Sequence, residues 1–189
     1  NDCNSQADEG GVSLCDDSSF CNGIETCQGG SCVSPGNPCV AGETCNEQDD
    51  VCGISLTSSS CGIPSGGWQA GKTYYLANNV IGSAADIVCF PIAVQGVTID
   101  CTPGVTRYSI TTTASGSHGV RVTGNLISAT VKDCTINTPL TSVGIGISST
   151  TSLTAINNII TTDNSASSRG ITVQITTGTQ QRTILLTNN

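Results

Sequence analysis

Gly119-Val120-Arg121-Val122, Gly144-Ile145-Gly146-Ile147 and Gly170-Ile171-Thr172-Val173 superpose as glycine, apolar, outward, apolar, at intervals of 25 and 26 residues. Successive side chains of a strand point to opposite faces, so the two apolar residues of each segment share one face and the residue between them takes the other. A second column runs between these segments with the same logic: Val97-Thr98-Ile99, Ala129-Thr130-Val131, Leu153-Thr154-Ala155 and Ile184-Leu185-Leu186, at intervals of 32, 24 and 31 residues. Two strand columns that alternate along the chain, each returning once per coil, describe a coil stacked on itself. A sandwich or a barrel carries no such vertical register.

Working outward, the stretch rich in Thr, Ser, Ile, Val and Gly begins after residues 53–60, Gly-Ile-Ser-Leu-Thr-Ser-Ser-Ser, which read as a linker. Residues 61–189 then make about four coils of a parallel β-helix, and β-branched side chains suit its strands. A polar corner follows the second column at Lys132-Asp133-Cys134, Ile156-Asn157-Asn158 and Thr187-Asn188-Asn189. Asparagines stacked at such a corner bond amide to amide, so Asn158 and Asn189 are expected to form a ladder. The last strand, with Ile184 and Leu186 inward, has no covering rung in this sequence. A solenoid edge of this kind calls for more chain or a neighbour, and self-association by end-to-end stacking into a filament is the expectation.

With these features residues 61–189 resemble the pectate-lyase-like family of right-handed parallel β-helices, which includes many non-enzymatic surface proteins. Tyr74-Tyr75-Leu76 and the rung Val97-Thr98-Ile99-Asp100-Cys101 are similar to the opening rungs of that family. The resemblance implies a right-handed, mainly β solenoid and does not choose a function.

Residues 1–52 are of another kind. Cys3, Cys15, Cys21, Cys27, Cys32, Cys39, Cys45 and Cys52 fall within them, separated by Gly, Asn, Asp and Pro. So short and polar a segment buries too little apolar surface to offset chain entropy, and cross-links must contribute most of its stability. Gly23-Ile24-Glu25-Thr26-Cys27 is partly echoed by Gly42-Glu43-Thr44-Cys45, which predicts two similar small loops. Together with Gly29-Gly30-Ser31-Cys32 and Pro38-Cys39, these stretches resemble Cys-rich repeats of microbial extracellular and surface proteins. That resemblance implies a spacer or interaction role outside the cell. The eight cysteines are expected to pair among themselves, leaving Cys61, Cys89, Cys101 and Cys134 to the β-helix. The strand register puts Cys101 one step before the position of Cys134 in the next rung. With rungs about 4.8 Å apart and residues about 3.3 Å apart, that diagonal suits a disulfide. Cys101 with Cys134, and Cys61 with Cys89, are the expected pairs.

Charge divides the chain in the same place. Ten of the 14 acids lie in residues 1–52, which hold no Lys or Arg, so the net charge of −8 is an N-terminal property. No basic stripe offers itself to nucleic acid, and no apolar run reaches the roughly 18 residues of a membrane span. Twelve cysteines fit an extracellular or cell-surface location, and the absence of Met means that Asn1 is not a translation start, so the chain was processed or is a piece of a longer one. The module has no His and no C-x-x-C pair for zinc. Asp16 and Asp17, and Glu47 with Asp49 and Asp50, are weak calcium candidates because they bring hard oxygen ligands together, although neither run has the alternating D-x-D-x-D-G spacing. No other cofactor is expected.

Polysaccharide-cutting enzymes of this fold need clustered carboxylates. Here Asp86, Asp100, Asp133 and Asp163 are spread over different rungs, and Asp100 is expected to face outward in an exposed pair with Lys132. His118, the only histidine, reads as a corner residue entering a strand. The expectation is a non-catalytic structural or adhesive rod, with surface glycans as partners; the alternative is a fragment of a secreted lyase or glycosidase, or a glycan-binding module using Trp68, Tyr74, Tyr75 and Tyr108.

Overall fold

A computed structural model describes residues 15–48, 50–139, 142–148, 150–162, 169–174 and 184–187. The chain is mainly β and falls into two compact units, Asn1–Ile54 and Ser55–Asn189.

The first unit has almost no apolar core; among its described residues Cys15 is the only buried apolar side chain. A 3-10 turn at Phe20–Asn22 precedes two short antiparallel pairs, β1 (Thr26–Gln28) with β2 (Ser31–Val33) and β3 (Thr44–Asn46) with β4 (Val51–Leu56). They are the two similar loops read in the sequence. Gly29 and Gly30 turn the first hairpin with φ of 59° and 83°, the pair of positive values that a two-residue turn of this hand needs. Cross-links do the work of a core: Cys15–Cys32, Cys21–Cys45 and Cys39–Cys52 close separations of 17, 24 and 13 residues. Loops of this length restrict the unfolded chain by about 3 kcal/mol each in the chain-entropy account. Cys27 is also disulfide-bonded, and Cys3 lies outside the described residues.

The boundary between the two units, Ile54 to Ser55, falls inside the expected linker at 53–60. Strand β4 runs through it to Leu56, which is buried, and Ser60 bridges Ile81 in parallel. Ile54 and Leu56 give this stretch strand character that its run of serines hides.

In the second unit the chain visits three sheets in rotation. The first circuit is β5 (Thr73–Leu76), β6 (Val80–Ile81) and β7 (Val88–Ile92); the next is β8 (Val97–Asp100), β9 (Ser109–Thr111) and β10 (His118–Val122). Then come β11 (Asn125–Lys132), β12 (Thr135–Thr138) and β13 (Val143–Ser148), followed by β14 (Thr150–Ile156), β15 (Ile159–Thr162), β16 (Arg169–Gln174) and β17 (Ile184–Thr187). Each strand pairs in parallel with the strand three elements on, so β5, β8, β11, β14 and β17 lie side by side in that order. The other two sheets run β6-β9-β12-β15 and β7-β10-β13-β16.

The registers are those of the sequence columns. Val97 pairs with Ala129, Ala129 with Leu153 and Leu153 with Ile184; Val120 pairs with Ile145 and Ile145 with Ile171. Val97, Ile99, Val120, Val122, Val131 and Ala155 are fully buried, while Thr98, Thr130 and Thr154 between their inward neighbours are half-exposed. A fully buried Val or Ile contributes about 1.5–3 kcal/mol over an exposed one. The sheet β6-β9-β12-β15 was not expected. Its strands are short and each turns one apolar residue inward, Val80, Ile110, Ile136 and Ile160 in register, so no alternation marks them.

Two glycines of the column, Gly119 and Gly144, have a steric cause. A Cβ on Gly119 would lie 2.7 Å from Ile136 Cγ2 and 2.8 Å from the Gly144 carbonyl oxygen; one on Gly144 would lie 2.4 Å from Ile160 Cγ2 and 2.7 Å from the Gly170 oxygen. Backbone from one sheet here approaches the inward isoleucine of the next too closely for any side chain.

Candidate functional site

Asp100, Arg107, Lys132, Asp133 and Asn157 come together at the corner after the first sheet. Asp133 and Asn157, one above the other in the register, both have positive φ, 56° and 51°, a region that Asp and Asn enter more readily than other side chains. The chain turns there. Cys101 and Cys134 are disulfide-linked across successive circuits with Cα atoms 4.7 Å apart, one step out of register, and Cys61 and Cys89 are linked at 4.5 Å. Asn158 is buried; its Oδ1 accepts from Cys134 N at 3.1 Å and its Nδ2 donates to Val131 O at 2.9 Å. The expected amide ladder joins Asn158 to Asn189, on the side of the following circuit. Cys134 stands at the corresponding place in the circuit before, and towards it Asn158 bonds backbone. Asn189 lies outside the described residues; Ile184 and Leu186 belong to β17, whose backbone alone is described.

For Asp100 the expectation is corrected. Its side chain is fully buried, not exposed, with Oδ2 2.9 Å from Lys132 Nζ and Oδ1 accepting from Thr102 N at 2.9 Å. In register Asp100 lies between Tyr75, itself buried, and Lys132, and the latter keeps a quarter of its side chain exposed. Parity along a strand gives the direction of a side chain and not what lies over it, which is why the sequence missed this burial. Asp133 pairs with Arg107 at 3.7 Å on the surface, and Arg107 also donates to the Asn157 carbonyl. Asp86 accepts from Ser83 N and Oγ, and Asp163 lies outside the described residues.

His118 is half-buried, with its ring against Gly146; a Cβ on Gly146 would come within 2.6 Å of His118 Cδ2. Burial first, and then the Arg121 guanidinium, push its pKa below the usual histidine value. A cation beside a neutral imidazole is not the carboxylate partner that orients a general base. The aromatic residues form an internal cluster: Trp68 packs edge-on against Tyr74 at 4.8 Å and Phe90 at 5.9 Å, and Tyr74, with its hydroxyl accepting from Gln69 N, is fully buried. Trp68, Tyr74 and Tyr75 are therefore core, not a platform for sugar rings. The outer surface of β9, β12 and β15 instead carries a shallow groove lined by Thr111, Asn137, Thr138, Thr161 and Thr162.

In the first unit Asp16 and Asp17 come together with Glu25, which is not among the expected calcium candidates. Glu47 is elsewhere engaged: its Oε2 accepts from Cys21 N at 2.8 Å, and this backbone bond, with help from the Ser19 hydroxyl, holds its carboxyl below the usual range. Asp50 lines an open groove of about 390 Å³ with Asp16, Ser19, Phe20 and Ile24 but does not join the cluster. Asp49 lies outside the described residues.

No family model, no curated protein and no solved structure matches this chain. Among the described residues no helix is long and apolar enough to cross a membrane, and five disulfides point to an oxidising, extracellular environment.

Proposed function

We propose that the protein is a non-catalytic extracellular structural or adhesive protein, whose second unit is a right-handed parallel β-helix serving as a rod and whose cysteine module is a spacer or contact domain. The observation that carries this reading is the use to which the second unit puts its acids. Asp100, Asp133 and Asp86 are each held by a protein partner, and the first two by a cation. Hydrolysis or elimination on this type of scaffold requires carboxylates free to take a proton or a metal. Three parallel sheets in unbroken rotation make a stiff frame whose outer face is lined with threonine and asparagine, suited to contact and not to bond cleavage.

The test is incubation of the oxidised chain with a panel of neutral and acidic polysaccharides, with and without calcium, following reducing ends and the ultraviolet absorbance of unsaturated products. Neither signal is expected. Turnover of any of the polysaccharides overturns the reading in favour of an enzyme.

A further inference from the structure

The first unit carries carboxylates and no base. Within residues 1–52 there is no Lys or Arg, so an anion buried there has no side-chain cation of its own unit to pair with. Glu25 is such an anion. It is 5 % exposed, its Oε1 is buried with no hydrogen-bond partner, and its Oε2 has only a long contact, 3.4 Å, from Asp17 N. An unpaired buried carboxylate costs several kcal/mol unless something compensates it.

What surrounds it is oxygen. One carboxylate oxygen from each of Asp16, Asp17 and Glu25 lies within 4.8 Å of the others. Oxygens bound to one calcium ion at about 2.3–2.6 Å lie at most about 5 Å apart, so the three fit a single coordination sphere. A fourth oxygen is at hand. The Asn22 amide donates from Nδ2 to Asp17 Oδ2 at 3.0 Å, and its Oδ1 is buried without a partner. The segment is also held in place: Ser18 N and Ser19 N bond to Asp16 Oδ1 and Asp17 Oδ1, and disulfides anchor Cys15 and Cys21 on either side of the two aspartates.

We infer that Asp16, Asp17 and Glu25, with the Asn22 carbonyl oxygen, form a calcium site that stabilises the cysteine module. Hard oxygen donors without histidine or free thiol select an alkaline-earth ion over zinc, and an irregular set completed by water on the exposed side of Asp16 and Asp17 suits calcium better than magnesium, which demands near-octahedral geometry. The ion supplies the positive charge that the unit's sequence lacks. Glu47 and Asp50 have no part in it.

Calorimetric titration of calcium chloride into the full oxidised chain tests the site, with native Cys15–Cys32 and Cys21–Cys45 linkages verified by peptide mapping. One site is expected, with Kd of about 10⁻⁴–10⁻³ M, the range of extracellular modules, and magnesium weaker. Glu25→Gln should weaken binding at least about tenfold, equivalent to about 1.4 kcal/mol. The exposed Asp16→Asn should also weaken it, and provides the reading if Glu25→Gln does not fold; Glu43→Gln, at the echoed position, should bind as wild type. Absence of binding to natively linked protein at about 10 mM calcium, ten times the upper end of that range, overturns the inference. So does binding that Glu25→Gln or, failing that variant, Asp16→Asn leaves unchanged.

Discussion

The two units solve one problem, a shortage of bulky core residues, by opposite means. The first, almost without buried apolar side chains among its described residues, closes its loops covalently. The second buries small and medium side chains, but repeats them in register, so that Val97, Ala129 and Leu153 stack on one another and each strand is paired with the strand of the next circuit. Charge follows the same division. Asp100 and Asp133 in the second unit meet Lys132 and Arg107; the first unit has no Lys or Arg, and Asp16, Asp17 and Glu47 turn to backbone N–H groups. Repetition thus makes stability a property of neighbouring circuits, whereas cross-linking makes it a property of the redox state.

The largest effect should come from breaking the repetition where backbone and side chain meet. Gly144→Val places side-chain carbon where Ile160 and the Gly170 carbonyl already lie, and is expected to cost the second unit more than about 4 kcal/mol in denaturant unfolding while leaving the first unit's disulfide map unchanged. A smaller effect separates the two ion pairs. Lys132→Ala abandons a fully buried carboxylate and should cost about 3–5 kcal/mol, against less than about 1 kcal/mol for Arg107→Ala at the surface. Equal losses would show that Asp100 is solvated after all.

The smallest effect is on pH. The folded pKa of His118 lies below its ordinary value of 6.5, so between the two the unfolded chain binds more protons than the folded one and stability rises with pH. The contribution is whole above about pH 6.5 and is lost as pH falls through the folded value. Calorimetric Tm of the second unit should therefore decline below pH 6.5, and His118→Gln should remove that decline. Glu47 acts with the same sign at lower pH, its contribution being present above 4.5 and lost as pH falls through its lowered folded value.

Much of this was legible in the sequence because the inward residues of the parallel sheets recur at intervals long enough to exclude accident. The columns headed by Gly119 and Val97 and the one-step offset between Cys101 and Cys134 follow from alternation alone. The sheet of Val80, Ile110, Ile136 and Ile160 did not show itself, since one inward residue per strand leaves no pattern. At the candidate site, Asp16 and Asp17 were visible as neighbours in sequence, but Glu25 reaches them only through the fold imposed by disulfides. The burial of Asp100 was hidden for a related reason: register revealed its partner and nothing revealed its cover.

Hydrogen exchange measured by mass spectrometry, with and without a reductant, addresses the contrast most directly. The account predicts that reduction abolishes amide protection in β1–β4 while β10, β11, β13 and β14 keep theirs, because their strands are held by neighbours and the Cys89, Cys101 and Cys134 sulfurs are buried from the reagent. Simultaneous loss of protection in both units, or rapid exchange in β11 and β14 of the oxidised protein, would contradict it.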